Sequence, residues 1–171
     1  DAITADFNSD GHLDIATTGD PGILAIALGT GTGGFNSLGS LALANAASAI
    51  VAGDFDENGV LDLVVADYYG SVRLGNGNGT FKYSLTMEHI IGTAAGDAGS
   101  LAIGDLNGDG HLDYVQASTS VNTARIFLGN GNGTFKAFVD QSNGGSSTGD
   151  LAIADVTGDG VLDLVFADIG T

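Results

Sequence analysis

Cysteine is absent from this chain of 171 residues, which excludes disulfides, thiolate metal sites and thiol catalysis. Basic residues are scarce: 4 Lys and Arg stand against 21 Asp and Glu, a formal charge of −17. Nucleic acids and anionic membrane surfaces need a positive field, so neither is expected as a partner. No apolar run approaches the roughly 18 residues of a membrane-spanning helix, so membrane insertion is not expected. A sustained 3.6-residue period is also missing, and 29 glycines oppose long helices. No methionine or leader pattern opens the chain at Asp1, which reads as a processed product or a fragment.

What the chain does have is a nine-residue loop written four times, Asp-x-[Asn/Asp/Thr]-x-[Asp/Asn]-Gly-x-x-Asp. The copies run from Asp6 to Asp14, Asp54 to Asp62, Asp105 to Asp113 and Asp155 to Asp163, with first aspartates 48, 51 and 50 residues apart. Oxygens at positions 1, 3, 5 and 9, with glycine permitting a sharp turn at position 6, suit a hard cation such as Ca²⁺. The acid of the chain is thus concentrated where cations would bind, and four Ca²⁺ would bring the charge from −17 to −9. Disorder is not the expectation, because 43% of residues are hydrophobic and sit in short β-type runs.

Each unit opens with an apolar strand that ends at the loop: Ala2–Ala5, Ala49–Ala52, Leu101–Ile103, Leu151–Ile153. A second strand leaves the loop at Leu13–Ala16, Leu61–Val65, Leu112–Val115 and Leu162–Phe166. A third, at Ile23–Leu28, Ser71–Leu74 and Ala124–Leu128, runs into a glycine-rich turn ending at Phe35, Phe81 or Phe135, after which a fourth strand leaves. Asn-Gly pairs between β runs signal hairpins. Four short strands per unit of about fifty residues predict an all-β fold of propeller-type blades, each of four antiparallel strands. The units are approximately 1–48, 49–99, 100–149 and an incomplete 150–171, about three and a half in one repeat domain.

The alternation of Asp-Phe-Asn-x-Asp-Gly-x-x-Asp with Leu-Gly-Asn-Gly-x-Gly-Thr-Phe resembles the FG-GAP/VCBS repeat, which builds calcium-bearing blades in integrin α-subunits and in bacterial surface and secreted proteins. The resemblance implies that Asp6, Asn8, Asp10, Asp14 and their counterparts are metal ligands on one rim of a propeller. The Gly-Ala-Pro half of the family's name is absent, so integrin-type ligand recognition is not carried over.

The first loop is assigned Asp6, Asn8, Asp10 and Asp14 as side-chain ligands, with the His12 carbonyl as the fifth. The second takes Asp54, Asp56, Asn58, Asp62 and the Val60 carbonyl; the third takes Asp105, Asn107, Asp109, Asp113 and the His111 carbonyl. The fourth takes Asp155, Thr157, Asp159, Asp163 and the Val161 carbonyl, and its neutral hydroxyl predicts a weaker or more hydrated site. The bland alternative is a solvated Asx-turn without metal, against which four copies in register argue. EF-hands need a Glu at position 12 and flanking helices, and position 12 here is Thr17, Val65, Gln116 or Phe166. Mg²⁺ is the competing ion, but it prefers sites that keep several waters.

No enzyme is expected. His12 and His111 stand where Val60 and Val161 stand in sister loops, His89 is isolated beside Glu88, and the remaining acids form no catalytic constellation. Nucleotide binding is dismissed, since the glycine-rich turns lack a following Lys-Ser/Thr and a helix. Asn78 and Asn132 fit the N-glycosylation pattern, though Asn-Gly-Thr is also simply a hairpin turn. Extracellular Ca²⁺ modules work at affinities of about 10⁻⁴–10⁻³ M, so the expected place is outside the cell or on its surface.

The expected role is a structural or adhesive module. Its partners would be copies of itself, joined through the incomplete blade, or the rest of a longer propeller, because closed rings take four to eight blades. The alternatives are a glycan-binding propeller with Tyr68 and Tyr69 in a stacking surface, another protein as ligand, or the scaffold of a secreted polysaccharide-active enzyme.

Overall fold

The computed structural model describes residues 1–43, 45–67, 70–83, 98–118, 123–142 and 148–168. Among these there is no helix, and the strands form antiparallel sheets in strict chain order. The first sheet is β1 (Ala2–Ala5), β2 (Asp14–Gly19), β3 (Ile23–Gly29) and β4 (Phe35–Ala42). The second is β5 (Ile50–Gly53), β6 (Asp62–Val65), β7 (Ser71–Gly75) and β8 (Phe81–Tyr83). The third is β9 (Ala98–Gly104), β10 (Asp113–Ser118), β11 (Thr123–Phe127) and β12 (Val139–Ser142), and the fourth is the pair β13 (Thr148–Ala154) and β14 (Asp163–Asp168). These are propeller-type blades in an unclosed row. First strands are neighbours from sheet to sheet, β1 beside β5, β5 beside β9 and β9 beside β13.

Every acidic loop closes the same hairpin. The residue before it pairs with its ninth position in Ala5↔Asp14, Gly53↔Asp62, Gly104↔Asp113 and Ala154↔Asp163. Four copies of one motif therefore sit at one end of the first two strands of each sheet.

Alternation along the strands glues the sheets face to face. On β6, Leu63 and Val65 join Phe7, Leu24, Ile26 and Phe81 in a core between the first and second sheets. Val64, between them, faces the opposite core with Val72, Tyr114, Phe127 and Phe135. A two-residue side-chain period is what permits one strand to serve two interfaces. Each such aliphatic side chain, fully buried, stabilises by about 1.5–3 kcal/mol. The third core, with Val115, Ala117, Ala124 and Leu151, joins the third sheet to the two-stranded fourth.

One strand departs from the expected pattern. In the third sheet Phe135 makes only an isolated bridge to Gly129, and β12 begins at Val139. The Lys136 N–H still donates to the Leu128 carbonyl opposite it at 2.8 Å, and the register has shifted by one residue where Ile126 pairs with Val139.

Candidate metal loops

Two left-handed residues shape each loop. Position 6 is always glycine, with φ of 85°, 83°, 87° and 86° at Gly11, Gly59, Gly110 and Gly160. Position 4 is also left-handed: Ser9 (φ 60°), Glu57 (56°), Gly108 (73°) and Gly158 (77°). This second requirement was not read from the sequence, although glycine in two of four copies is its signal. A non-glycine residue there costs about 1–2 kcal/mol.

The first aspartate ties the curl from inside. Asp6 Oδ1 accepts the Asp10 N–H at 3.1 Å and Oδ2 the Gly11 N–H at 2.8 Å. Asp54 does the same with Asn58 and Gly59, Asp105 with Asp109 and Gly110, and Asp155 with Asp159 and Gly160. The fifth-position side chain then accepts the N–H of position 7, from His12, Val60, His111 or Val161. Such bonds hold the Asp10, Asp109 and Asp155 carboxyls below their ordinary range: Asn8 and the His12 N–H act on Asp10, the His111 N–H mainly on Asp109, and the Gly160 and Gly158 N–H groups on Asp155.

The ninth-position aspartate is a staple as well as a candidate ligand. Asp14 accepts the Phe7 N–H through Oδ2 (2.8 Å) and the Gly29 N–H through Oδ1 (2.7 Å). Asp62 repeats this with Phe55 (2.9 Å) and Gly75 (2.8 Å), and Asp113 with Leu106 (2.9 Å) and Gly129 (2.8 Å). All three are fully buried. Burial pushes the Asp62 and Asp113 carboxyls up, and the donated N–H groups only partly offset it. Asp163 is different: both of its recorded donors, Val156 and Thr157, come from its own loop.

In the second loop the candidate ligands converge most tightly. One oxygen from each of Asp54, Asp56 and Asp62 lies within 4.8 Å of the others. Among the described residues, Asp56 Oδ1 is the one carboxylate oxygen that is buried without a hydrogen-bond partner. An orphaned anionic oxygen beside two further carboxylates fits a divalent cation. The first and third loops differ because Asn stands at position 3. Asn8 Nδ2 donates to Asp10 Oδ2 at 2.9 Å and Asn107 Nδ2 to Asp109 Oδ2 at 3.0 Å, while Lys136 Nζ lies 3.4 Å from the latter oxygen. In the fourth loop Asp155, Thr157, Asp159 and Val161 are all exposed.

Three of the seventh-position side chains pack on glycine turns. The His12 ring lies against Gly31 and the His111 ring against Gly131, where a Cβ would sit 2.4 Å from a ring atom; Val60 covers Gly75. His111 Nδ1 also meets Glu57 Oε1 of the preceding sheet's loop at 2.5 Å, and that carboxylate raises its pKa. Asn78 and Asn132 each accept a threonine hydroxyl at 2.6 Å, from Thr80 and Thr134, and are exposed. Tyr68, Tyr69, Glu88 and His89 lie outside the described residues.

A link between sheets was not visible in the sequence. The Gly79 N–H, in the glycine-rich turn of the second sheet, donates to the Phe7 carbonyl at 3.1 Å, and Gly133 donates to Phe55 at 2.9 Å. The ring pairs Phe7–Phe81 and Phe55–Phe135, with centroids 5.7 and 5.8 Å apart, flank these bonds. Each turn thus plugs into the acidic loop of the sheet before it.

The family model for an FG-GAP-like repeat matches three times, over residues 6–65, 61–116 and 114–166. No curated protein matches. Among solved structures, one describing specific recognition of non-reducing terminal N-acetylglucosamine by an Agrocybe aegerita lectin is similar, with a TM-score of 0.64 at 24% identity. The match covers 95% of this chain and 45% of that one, so the chain spans less than half the length of that protein, and the likeness is one of fold.

Proposed function

The chain belongs to the FG-GAP-like repeat family, and on that premise we propose that it is a calcium-stabilised structural or adhesive module that works outside the cell and carries no catalysis of its own. The observation that carries the reading is the second loop, where Asp56 Oδ1 is buried without a partner beside Asp54 and Asp62. Asp54, Asp56, Asn58 and Asp62 would hold the ion there, with the Val60 carbonyl. Asp6, Asn8, Asp10, Asp14 and the His12 carbonyl would do so in the first loop, and Asp105, Asn107, Asp109, Asp113 and the His111 carbonyl in the third. Asp155, Thr157, Asp159, Asp163 and the Val161 carbonyl form the fourth and weakest set, because Asp155, Thr157 and Asp159 are exposed and one of the side chains is a neutral hydroxyl.

A bound Ca²⁺ supplies positive charge where loop carboxylates otherwise repel one another. The chain supplies the rest: the first aspartate curls the loop, and the ninth fastens it to the hairpin glycine. An ion that binds the folded loops better than the unfolded chain stabilises the fold by linkage. Isothermal titration with Ca²⁺ tests the reading, with heat expected from wild type and a weakened tightest site in Asp56→Asn. A titration without heat at millimolar Ca²⁺ would reject it.

A second reading, glycan binding, is favoured by the lectin among the similar folds. The cleft between the first two sheets, lined by Leu24, Ile26, Leu38, Leu41 and Phe81, holds about 80 Å³. Ligand pockets usually run to about 300–1,000 Å³, so that cleft is a poor sugar site. Glycan-array binding lost on substitution of Tyr68 or Tyr69 would support this second reading.

A further inference from the structure

The glycine turn of the third sheet, between Gly129 and Phe135, is held by two acidic loops at once. The Gly129 N–H donates to Asp113 Oδ1 at 2.8 Å, which fastens the turn to the third loop. The Gly133 N–H donates to the Phe55 carbonyl of the second loop at 2.9 Å, and a Cβ on Gly133 would lie 3.4 Å from Asp56 Cβ. Between these two bonds the turn covers a side-chain pair that joins the loops directly. Glu57 Oε1, from position 4 of the second loop, meets His111 Nδ1, from position 7 of the third, at 2.5 Å. Gly131 seats on that pair, where a Cβ would lie 2.4 Å from His111 Nδ1 and 2.7 Å from Glu57 Oε1.

Each of these contacts falls beside candidate ligands. Glu57 stands between Asp56 and Asn58 in the chain, and His111 would lend its own carbonyl. The left-handed φ of 56° at Glu57 belongs to the curl of the second loop, so uncurling that loop carries the carboxylate away from His111. A neutral imidazole can donate through Nδ1 as well as a charged one, so the bond does not require a protonated ring. The pair is specific to this joint. The same two positions hold Ser9 and Val60 at the joint before it and Gly108 and Val161 at the joint after, and a valine side chain forms no hydrogen bond. Both sheets are interior to the row, each with a core on either face.

We propose that Glu57 and His111 couple the second and third loops into one two-ion unit, so that filling either loop raises the calcium affinity of the other. This rests on the calcium reading of those loops and adds the link between them. With the second loop curled round an ion, Asp56 and Asn58 are fixed and Glu57 with them, which pins His111 and its carbonyl in the third loop. Linkage makes the effect reciprocal. The pair is half-exposed, so its share of the coupling is at most about fivefold.

Proton–nitrogen correlation NMR during a Ca²⁺ titration of the 171-residue chain tests it, because the position-6 amides report loop by loop, Gly59 for the second and Gly110 for the third. Dispersed spectra show at once that each variant folds. Asp56→Asn alters no residue of the third loop, yet it should raise the Ca²⁺ midpoint read at Gly110 by about threefold to fivefold. Asp109→Asn should shift the midpoint at Gly59 in the same sense, as reciprocity requires. His111→Val installs the valine of the second and fourth loops and keeps the carbonyl; Glu57→Ser installs the serine of the first. In either background Asp56→Asn should move Gly110 by less than about twofold. Amides that ignore Ca²⁺ would remove the calcium reading and the coupling with it. A Gly110 midpoint that Asp56→Asn leaves in place, or moves equally with and without the pair, would leave calcium binding standing and overturn the coupling alone.

Discussion

The Gly79 N–H donates to the Phe7 carbonyl at 3.1 Å, joining the hairpin of one sheet to the acidic loop of the sheet before it. The Phe7 N–H in turn donates to Asp14 Oδ2, and Asp14 Oδ1 accepts the Gly29 N–H of its own hairpin. Loop, hairpin and neighbouring sheet are therefore one hydrogen-bonded unit, repeated at Gly133, Phe55, Asp62 and Gly75. Ordering any member orders the rest.

The glycine contact has a direct test. Gly79→Ala forces φ of +78° on a side chain whose Cβ would lie 2.6 Å from Leu28 Cδ2. Gly33→Ala has a similar φ of +88° with open space around it. Urea unfolding should show Gly33→Ala costing about 1 kcal/mol and Gly79→Ala about 1–3 kcal/mol more, the overpacking part. Equal losses would mean the turn does not seat on Leu28.

The fully buried staple at Asp62 should matter more than its half-buried copy at Asp163. In chelator, Asp62→Asn turns one acceptor oxygen into a donor facing the Gly75 or Phe55 N–H and should cost about 1.5–3 kcal/mol. Asp163→Asn loses only loop-internal bonds and should cost less than about 1 kcal/mol. Urea midpoints at a common slope would separate the two.

Asp56→Asn should move apo and calcium-bound stability in opposite directions. Removing its charge relieves repulsion with Asp54 and Asp62, so the melting temperature in chelator should rise. Calcium affinity should fall by about tenfold, near 1.4 kcal/mol. A fall in both would point to a purely structural role for Asp56.

The pH response follows from the raised carboxyls. Asp62 and Asp113 have folded-state pKa values above 3.8, so they favour the fold when protonated and that contribution fades as pH rises through those values. The lowered groups, Asp10, Asp109 and Asp155, act in the opposite sense and only in more acid solution, as pH falls through their depressed values. In chelator, the melting temperature should therefore increase as pH falls from neutral through the raised values of Asp62 and Asp113. With saturating Ca²⁺ the order should reverse, because protons compete with the ion for the same oxygens.

The sequence announces what is local and leaves out what is not. The loops are legible because their oxygen-bearing side chains fall within nine consecutive residues, and β1 at Ala2–Ala5 and β3 at Ile23–Gly29 because apolar alternation is read within one strand. The second partner of Asp14 is Gly29, on another turn, and that of Phe7 is Gly79, on another sheet; no spacing rule reaches them. The left-handed position 4 was hidden because Ser9 and Glu57 fill it where Gly108 and Gly158 show it openly. Val139 as the start of β12 follows a one-residue register shift after Lys136, which Leu-Gly-Asn-Gly-Asn-Gly-Thr-Phe spells no differently in the second sheet.

The central claim is that the acidic loops hold calcium and that the ion stabilises the sheets. Scanning calorimetry in chelator and in excess Ca²⁺ tests it most directly. One site at a hundredfold its dissociation constant adds about 2.7 kcal/mol, or about 5–10 °C for a chain of this size, and several sites add more. Superimposable melts in the two solutions would contradict it.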